Sequence, residues 1–325
     1  MFISVFGAVE SGVIYAIMAL GVYLTFRVLD FPDLTVEGSF VTGAAVAAFS
    51  IVNGIPPIVA TILAAIAGFF AGCITGLLHT KGKINSLLAG ILMMTALYSI
   101  NLRIMGQPTL SLLNETSIFD QLEAIWASTG LDAIFNGMLT ALGLEQLPGT
   151  WSILIVMTIV TIGIKFLTDY YLKTEVGLAL RAIGDNKRMI RSLSANTDSL
   201  IIVGVGVSNA LVALAGGLIA QLGGFADVNM GLGLIVIGLA SIIIGEALFG
   251  TKTIVRATLA VLLGAVIYRI IVTLALRVDF LETGDMKLIT AVIVVVALVT
   301  PKIIQSRREK KRRMLKRQRL KAGGE

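Results

Sequence analysis

The residues of this chain able to do chemistry fall into two sets. One is a polar island, Tyr171 to Thr197, which lies between strongly apolar stretches and carries Lys173, Arg181, Lys187, Arg188 and Arg191 against Glu175 and Asp185. Val176, Leu178, Leu180 and Ile183 are spaced among these charges as on short amphipathic helices rather than a slack linker. Fixed charges beside an apolar stripe suit docking against another surface, where ionised hydrogen bonds set the register. The second set is scattered through apolar sequence: Glu10, Glu246 and Arg269 singly, and the polar runs Asp33, Thr35, Glu37, Ser39 and Asn209, Gln221, Asp227, Asn229. The chain has no G-x-x-x-x-G-K-[ST], H-E-x-x-H or G-x-S-x-G, and His79 is its only histidine. An enzyme or a metal site would need an unfamiliar constellation. Without a phosphate-binding loop, active transport must draw on an ion gradient or on another subunit.

The frame that must hold these residues is a membrane one. With 56% hydrophobic and 14% charged residues, a chain of 325 residues cannot fold as an ordinary soluble domain. Stretches able to cross a hydrocarbon core of about 30 Å fall at 4–26, 31–52, 56–79, 84–105, 150–169, 198–221, 228–249, 254–277 and 286–304, giving an all-α polytopic protein of about nine spans. The stretch 31–52 opens with Asp33 and Glu37 in its first turns and reads as a broken or partly re-entrant helix. Alternation from an outside N-terminus puts Arg27, Lys81, Lys83, the island, Lys252, Arg256 and the C-terminus on the cytoplasmic side. The outside segment 106–149 carries Glu115, Asp120, Glu123, Asp132 and Glu145 and neither Lys nor Arg. Its amphipathic part is expected to lie along the outer surface; a tenth span there is the alternative, and it would reverse the sidedness of everything before it. Eleven of the 26 Lys and Arg lie between Lys302 and Lys321, a retention charge touching anionic membrane lipid rather than a nucleic-acid site. Cys73 stands alone and cannot form an intrachain disulfide.

Phe31-Pro-Asp33-Leu-Thr35-Val-Glu37-Gly-Ser39 aligns with Phe225-Ala-Asp227-Val-Asn229-Met-Gly231-Leu-Gly233, each opening a span, and the alternation runs the two spans in opposite directions. Two inverted halves within one transmembrane domain, 1–325, are the expected architecture. Its parts are a first half at 1–105, an extracytoplasmic segment at 106–149, an extra span at 150–169, a cytoplasmic loop at 170–197, a second half at 198–304 and a basic tail at 305–325. Glu10 and Arg269 sit at similar depth, roughly 9–12 Å from the outer ends of their spans, and are expected to form a structural ion pair, the alternative being a role in steering substrate. Glu246, near the inner end of its span, is a helix-end contact or a gate. The spacing of Gly68, Gly72 and Gly76 predicts close helix packing.

Glu175-Val176-Gly177-Leu-Ala-Leu180-Arg181-Ala182-Ile183-Gly-Asp185-Asn, followed by Ser194-Ala-Asn196, resembles the cytoplasmic coupling loop of ABC importer permeases of the branched-chain amino acid and ribose permease family. Gly12-Val-Ile-Tyr15-Ala-Ile-Met-Ala-Leu-Gly21 and Phe31-Pro-Asp33-Leu-Thr35-Val-Glu37-Gly38 are similar to the first half of that family. The likeness spans nearly the whole chain and is strongest at 10–45 and 173–197, although better-known members begin with an additional cytoplasm-facing helix. Within the family it is nearest to the small branch paired with lipoprotein-type binding proteins, some of them for aromatic amino acids.

The resemblance implies a homodimeric permease of the bacterial inner membrane that imports a small polar solute, foremost an amino acid. Glu175, Val176, Gly177, Leu180, Arg181, Ala182, Ile183, Asp185 and Arg188 would dock in a cleft of a separate ATPase subunit, with Val176, Leu180 and Ile183 buried in the partner. ATP and magnesium would sit on that subunit, with no cofactor in this chain, and a substrate-binding protein would deliver the solute to the outer face. On this reading Asp33, Thr35, Glu37, Ser39, Asn209, Gln221, Asp227 and Asn229 are the candidate translocation path. Two other readings stay open: a secondary transporter or channel driven by an ion gradient through Asp33, Glu37 and Glu246, which needs no ATPase, and an intramembrane enzyme, which needs buried acids to converge.

Overall fold

The computed structural model describes residues 1–141, 146–192 and 196–276, with 288, 291, 292, 295 and 296 as single positions. The expected span 286–304 and the tail 305–325 otherwise lie outside the described residues. Helix α1 (Phe2–Tyr23) runs on into a π-helical turn at Leu24–Val28. There follow α2 (Thr35–Val52), α3 (Pro57–Thr80), α4 (Ser86–Met105), α5 (Ile118–Ala127), α6 (Leu131–Ala141), α7 (Ser152–Lys173), α8 (Glu175–Ser192), α9 (Thr197–Gly223), α10 (Leu234–Phe249) and α11 (Ile254–Ala275). One short antiparallel ladder, β1 (Thr109–Ser111) with β2 (Phe225–Asp227), joins the two halves of the sequence.

Seven of the described helices, α1 with its π turn, α2, α3, α4, α7, α9 and α11, are long and apolar enough to cross a bilayer. Helix α10 is apolar but has only 16 residues. Ile62, Ile66, Phe70, Leu88, Leu92, Phe166 and Leu167 point outward from α3, α4 and α7, as lipid-facing side chains do. The protein is an all-α, multi-pass membrane protein. Helices α5 and α6, with 10 and 11 residues, would rise only about 15–17 Å and do not form a tenth span.

Two spans depart from their expected bounds. The helix expected from 228 begins at Leu234, because Gly231 lies against the Glu37 carbonyl and Gly233 takes a left-handed φ of 87°. The one expected to stop at 169 continues to Lys173, with Lys165 and Asp169 paired and buried on one of its faces.

The core is built on bare backbone contacts. A Cβ at Gly43 of α2 would stand 1.9 Å from the Ala213 carbonyl of α9, and one at Gly216 of α9 would stand 2.0 Å from the Phe40 carbonyl. Gly68, Gly72 and Gly76 line the face of α3 against α9, where a Cβ would meet Asn209, Val205 and Ile202 within 2.7 Å, as their spacing predicted. Gly245 and Gly264 bring α10 and α11 together in the same way. Helix α3 lies along α9 as α11 lies along α1, and α2 packs on α3 as α10 packs on α11. The two halves thus share one order of helix pairing.

Substituting Gly216→Val is expected to lower stability by about 1–3 kcal/mol or more through overpacking. Gly163→Ala on α7, where a Cβ meets nothing within 4 Å, is expected to leave it unchanged or slightly raised. Thermal unfolding of the purified chain in detergent distinguishes the two.

Candidate functional site

The polar island folds as α8. Thr174 turns the chain out of α7 in extended geometry, and its hydroxyl accepts the Gly177 N–H at 3.3 Å. Gly177 is obligatory at this corner, since a Cβ would stand 2.2 Å from the Tyr171 carbonyl. Asn186 breaks the helix with φ −158° and ψ 88°, and its side chain caps a second short piece by accepting the Met189 N–H. The island is therefore two short helices, as its patterning predicted.

Their inward face is a seat within this chain. Leu180, Ile183 and Ile190 are buried in the main core, Gly184 lies against the Val28 carbonyl at the end of α1, and Leu180 and Leu29 flank Gly204 of α9. This corrects the expectation that Leu180 and Ile183 fill a partner's groove, because their own helix bundle already covers them. Gly177 is buried too, and Arg181 and Ala182 are half-buried. The outward face carries Glu175, Val176, Leu178, Asp185, Arg188 and Met189. Arg191 donates to Thr197 Oγ1 at 3.2 Å and pairs with Asp198 at 3.3 Å, tying the end of α8 to the start of α9. Burial first, and then the Arg191 guanidinium, pull the Lys187 ammonium below the usual lysine range, with Asp198 opposing.

The eight candidate path residues do not converge on one site. Asp33, fully buried before α2, accepts the Thr35 N–H at 2.9 Å and the Asn209 amide at 2.7 Å, and the Thr35 hydroxyl meets that of Thr75 at 2.8 Å. Gln221 is a joint near the C-terminal end of α9, donating to Thr61 Oγ1 and accepting the Ile118 N–H. Asp227 accepts the Asn229 N–H and the Thr109 hydroxyl beside the ladder. The aligned carboxylates Asp33 and Asp227 thus make the same turn, each capturing the N–H two residues on. Ser39 is fully buried on α2. Glu37 stands apart from these: it accepts the Gly233 N–H at 3.0 Å and borders a cavity of about 160 Å³ between α2, α4 and the turn before α10.

The lone charges are placed differently from expectation. Among the described residues Glu10 and Arg269 form no ion pair; Arg269 donates to Ser11 Oγ at 3.1 Å and lies 4.6 Å over the Tyr15 ring, so an aromatic face and a hydroxyl satisfy it instead. Glu246 pairs with Arg27 in the π turn, a contact near the end of α10. An unforeseen pair lies deeper. Lys165 and Asp169 on α7 are about 5% exposed and 2.5 Å apart, and the second carboxylate oxygen of Asp169 accepts the Thr258 hydroxyl of α11 at 2.6 Å.

Residues 4–299 match the family described as branched-chain amino acid transport system, permease component. The chain belongs to this family. The permease is also 40% identical, over 91% of its own length and 90% of the relative's, to a tyrosine transport system permease protein of Clostridioides difficile (strain R20291). An uncharacterized protein of Rickettsia prowazekii (strain Madrid E) is 34% identical over 64% of the permease and 65% of that chain. No solved structure matches it.

The permease uses several of its charges to hold helices together: Arg27 with Glu246, Lys165 with Asp169 and Arg191 with Asp198 each gain a partner that offsets the cost of leaving water. The Lys165–Asp169 pair escaped sequence reading although its i,i+4 spacing inside an apolar span was a usable signal. Lys165→Met alone is expected to destabilise the permease by about 3–5 kcal/mol by stranding Asp169. Adding Asp169→Leu is expected to recover most of that loss, since Thr258 keeps its contacts with the Ile254 and Val255 carbonyls. Melting curves of the two variants in detergent check this.

Proposed function

We propose that the chain is the membrane subunit of an ATP-driven importer of a free amino acid, with an aromatic amino acid as its first candidate cargo. Family membership supports the import role, and the relative named for tyrosine transport supports the cargo. The permease sits as a homodimer in the bacterial inner membrane, with α8 and the basic C-terminus cytoplasmic. A binding protein hands solute to the end bearing Glu115, Asp120, Glu123 and Asp132. ATP and magnesium are held by a separate ATPase subunit.

The observation that carries this reading is the division of α8 into two faces. Its buried face is seated on the ends of α1 and α9, while Glu175, Val176, Asp185 and Arg188 remain outward, charged and available to a partner. A partner that moves on binding or releasing nucleotide would push on α8, and its seat would pass the displacement to α1 and α9. Charge-assisted hydrogen bonds from Asp185 and Arg188 would fix the register of that contact.

The test is affinity capture of the tagged chain from native membranes beside a variant with Glu175, Asp185 and Arg188 changed to Ala. These side chains are exposed, so the variant should fold and elute as the parent does. Capture of an ATPase subunit by the parent, reduced at least about tenfold in the variant, is the expected result. An ion-driven transporter would yield no ATPase with either form, and equal capture by both would remove α8 from the contact.

A further inference from the structure

Helix α6 has the reverse of the polarity that a helix in water shows. Asp132 and Asn136, one turn apart, face the protein and are half-buried. Asp132 Oδ1 accepts both the Trp126 indole N–H and the Trp151 backbone N–H at 2.9 Å. Asn136 Oδ1 accepts the Trp151 indole N–H at 3.1 Å, and the Asn136 amide donates to the Pro148 carbonyl at 3.3 Å. Ile134 and Met138, also one turn apart, stand outside at 60% and 63% exposure, and no residue of α6 is buried. An amphipathic helix in water turns its apolar stripe to the core and its polar side outward. Single exposed apolar side chains are ordinary, but a helix whose polar groups are spent inward and whose apolar ones point outward has an apolar medium outside it.

The same hydrogen bonds fix where α6 lies. Trp151 is the N-cap of α7, a membrane span, and its ring meets Phe6 of α1 at 4.9 Å and Phe135 of α6 at 5.3 Å. Helix α6 is therefore held at the level where α1 and α7 begin, and Met1 and Ile3 at the start of α1 are exposed like its own stripe. Trp126 and Trp151 are the only tryptophans of the chain. Tryptophan favours the membrane–water boundary, where its ring is covered and its N–H is bonded.

We infer that α6 is an interfacial anchor whose partner is membrane lipid: it lies in the plane of the bilayer with Ile134 and Met138 sunk about 5–10 Å into the boundary between headgroups and acyl chains. The stripe continues the lipid-facing surface of the spans, because α6 is tied to the residue that caps one of them. Glu115, Asp120, Glu123, Asp132 and Glu145 accompany it with neither Lys nor Arg between 106 and 149. Zwitterionic headgroups therefore suit it, and an anionic lipid surface, which attracts basic segments, does not. Lipid thus holds one end of α1 and α7, while the π turn that ends α1 and the last turn of α7 both meet α8. This placement needs only a multi-pass membrane protein and is the same whether the chain works with an ATPase or alone.

The test uses the full chain, purified and placed alone in phosphatidylcholine nanodiscs, carrying Cys73→Ala together with one of Ile134→Cys, Met138→Cys or Glu123→Cys. Each is labelled with a small environment-sensitive fluorophore, and quenching is measured with phosphatidylcholine brominated near the top of its acyl chains and with iodide in the buffer. Elution and thermal unfolding that match the Cys73→Ala parent show that each labelled variant is folded, and two stripe positions guard against the loss of one. Labels at 134 and 138 should be quenched by the brominated lipid and several-fold less by iodide than the label at 123, which is exposed on the polar side of α5. The label at 123 should show the opposite preference. Iodide quenching at 134 and 138 equal to that at 123 would place the stripe in water and overturn the anchor. Shielding of both positions from iodide and from brominated lipid alike would mean that a protein surface, here a second copy of the chain, covers the stripe, and would overturn it too.

Discussion

Inside a bilayer the lipid is as apolar as any side chain, so helices gain little from burying hydrophobic surface and must be held by close contact and hydrogen bonds. Here everything hangs on how near α2 and α3 come to α9. Glycines at 43, 68, 72, 76 and 216 let backbone rest on backbone, and only at that separation do short polar side chains meet. Asp33 reaches Asn209, Thr35 reaches Thr75 and Gln221 reaches Thr61, all within 2.8 Å. A single methyl between the helices would open these contacts together, because none of the side chains has length to spare. The glycine faces and the buried polar pairs are therefore one device. The same packing fixes the end of α1, and with it the seat of α8.

The sequence announced its helices plainly because a bilayer imposes length and polarity on each one. Eight of the nine expected spans overlap a described helix, and the charge alternation anticipated the gathering of Arg27 and Glu246 at one end with α8. The misplaced features share a cause. Depth along a span is readable from position, whereas the rotation of one helix against another is not, so Glu10 and Arg269 were set at matching heights yet Arg269 turns to Ser11 and Tyr15. Rotation also decided the island: the apolar stripe of α8 was evident, but which body it would cover was not, and Leu180 and Ile183 proved to be covered by their own chain. The cavity was out of reach for a related reason, since Asn101 and Tyr98 come from α4 and acquire meaning only when α2 and the turn before α10 are folded beside them.

The aligned segments at 31–39 and 225–233 show how a repeat diverges without losing its local chemistry. Asp33 and Asp227 both close a turn on the N–H two residues ahead. The first turn leads straight into a helix and is sealed by Asn209; the second, with glycines at 231 and 233, delays its helix to Leu234 and leaves Asn229 exposed. One copy has become a buried clasp and the other an open turn, and the cavity lies where Glu37 from one copy bonds Gly233 of the other.

The clasp between Asp33 and Asn209 joins residues 176 positions apart. At a synthesis rate of about 5–20 residues per second, Asn209 is made roughly nine to thirty-five seconds after Asp33. For that interval α1 to α4 exist without the helix that covers their glycine faces, and the Asp33 carboxylate must find water, lipid headgroups or the insertion channel in its place. The polar contact that secures the finished protein is thus a liability while the chain is still being made, and it sets a minimum time during which the nascent first half depends on shelter from outside itself.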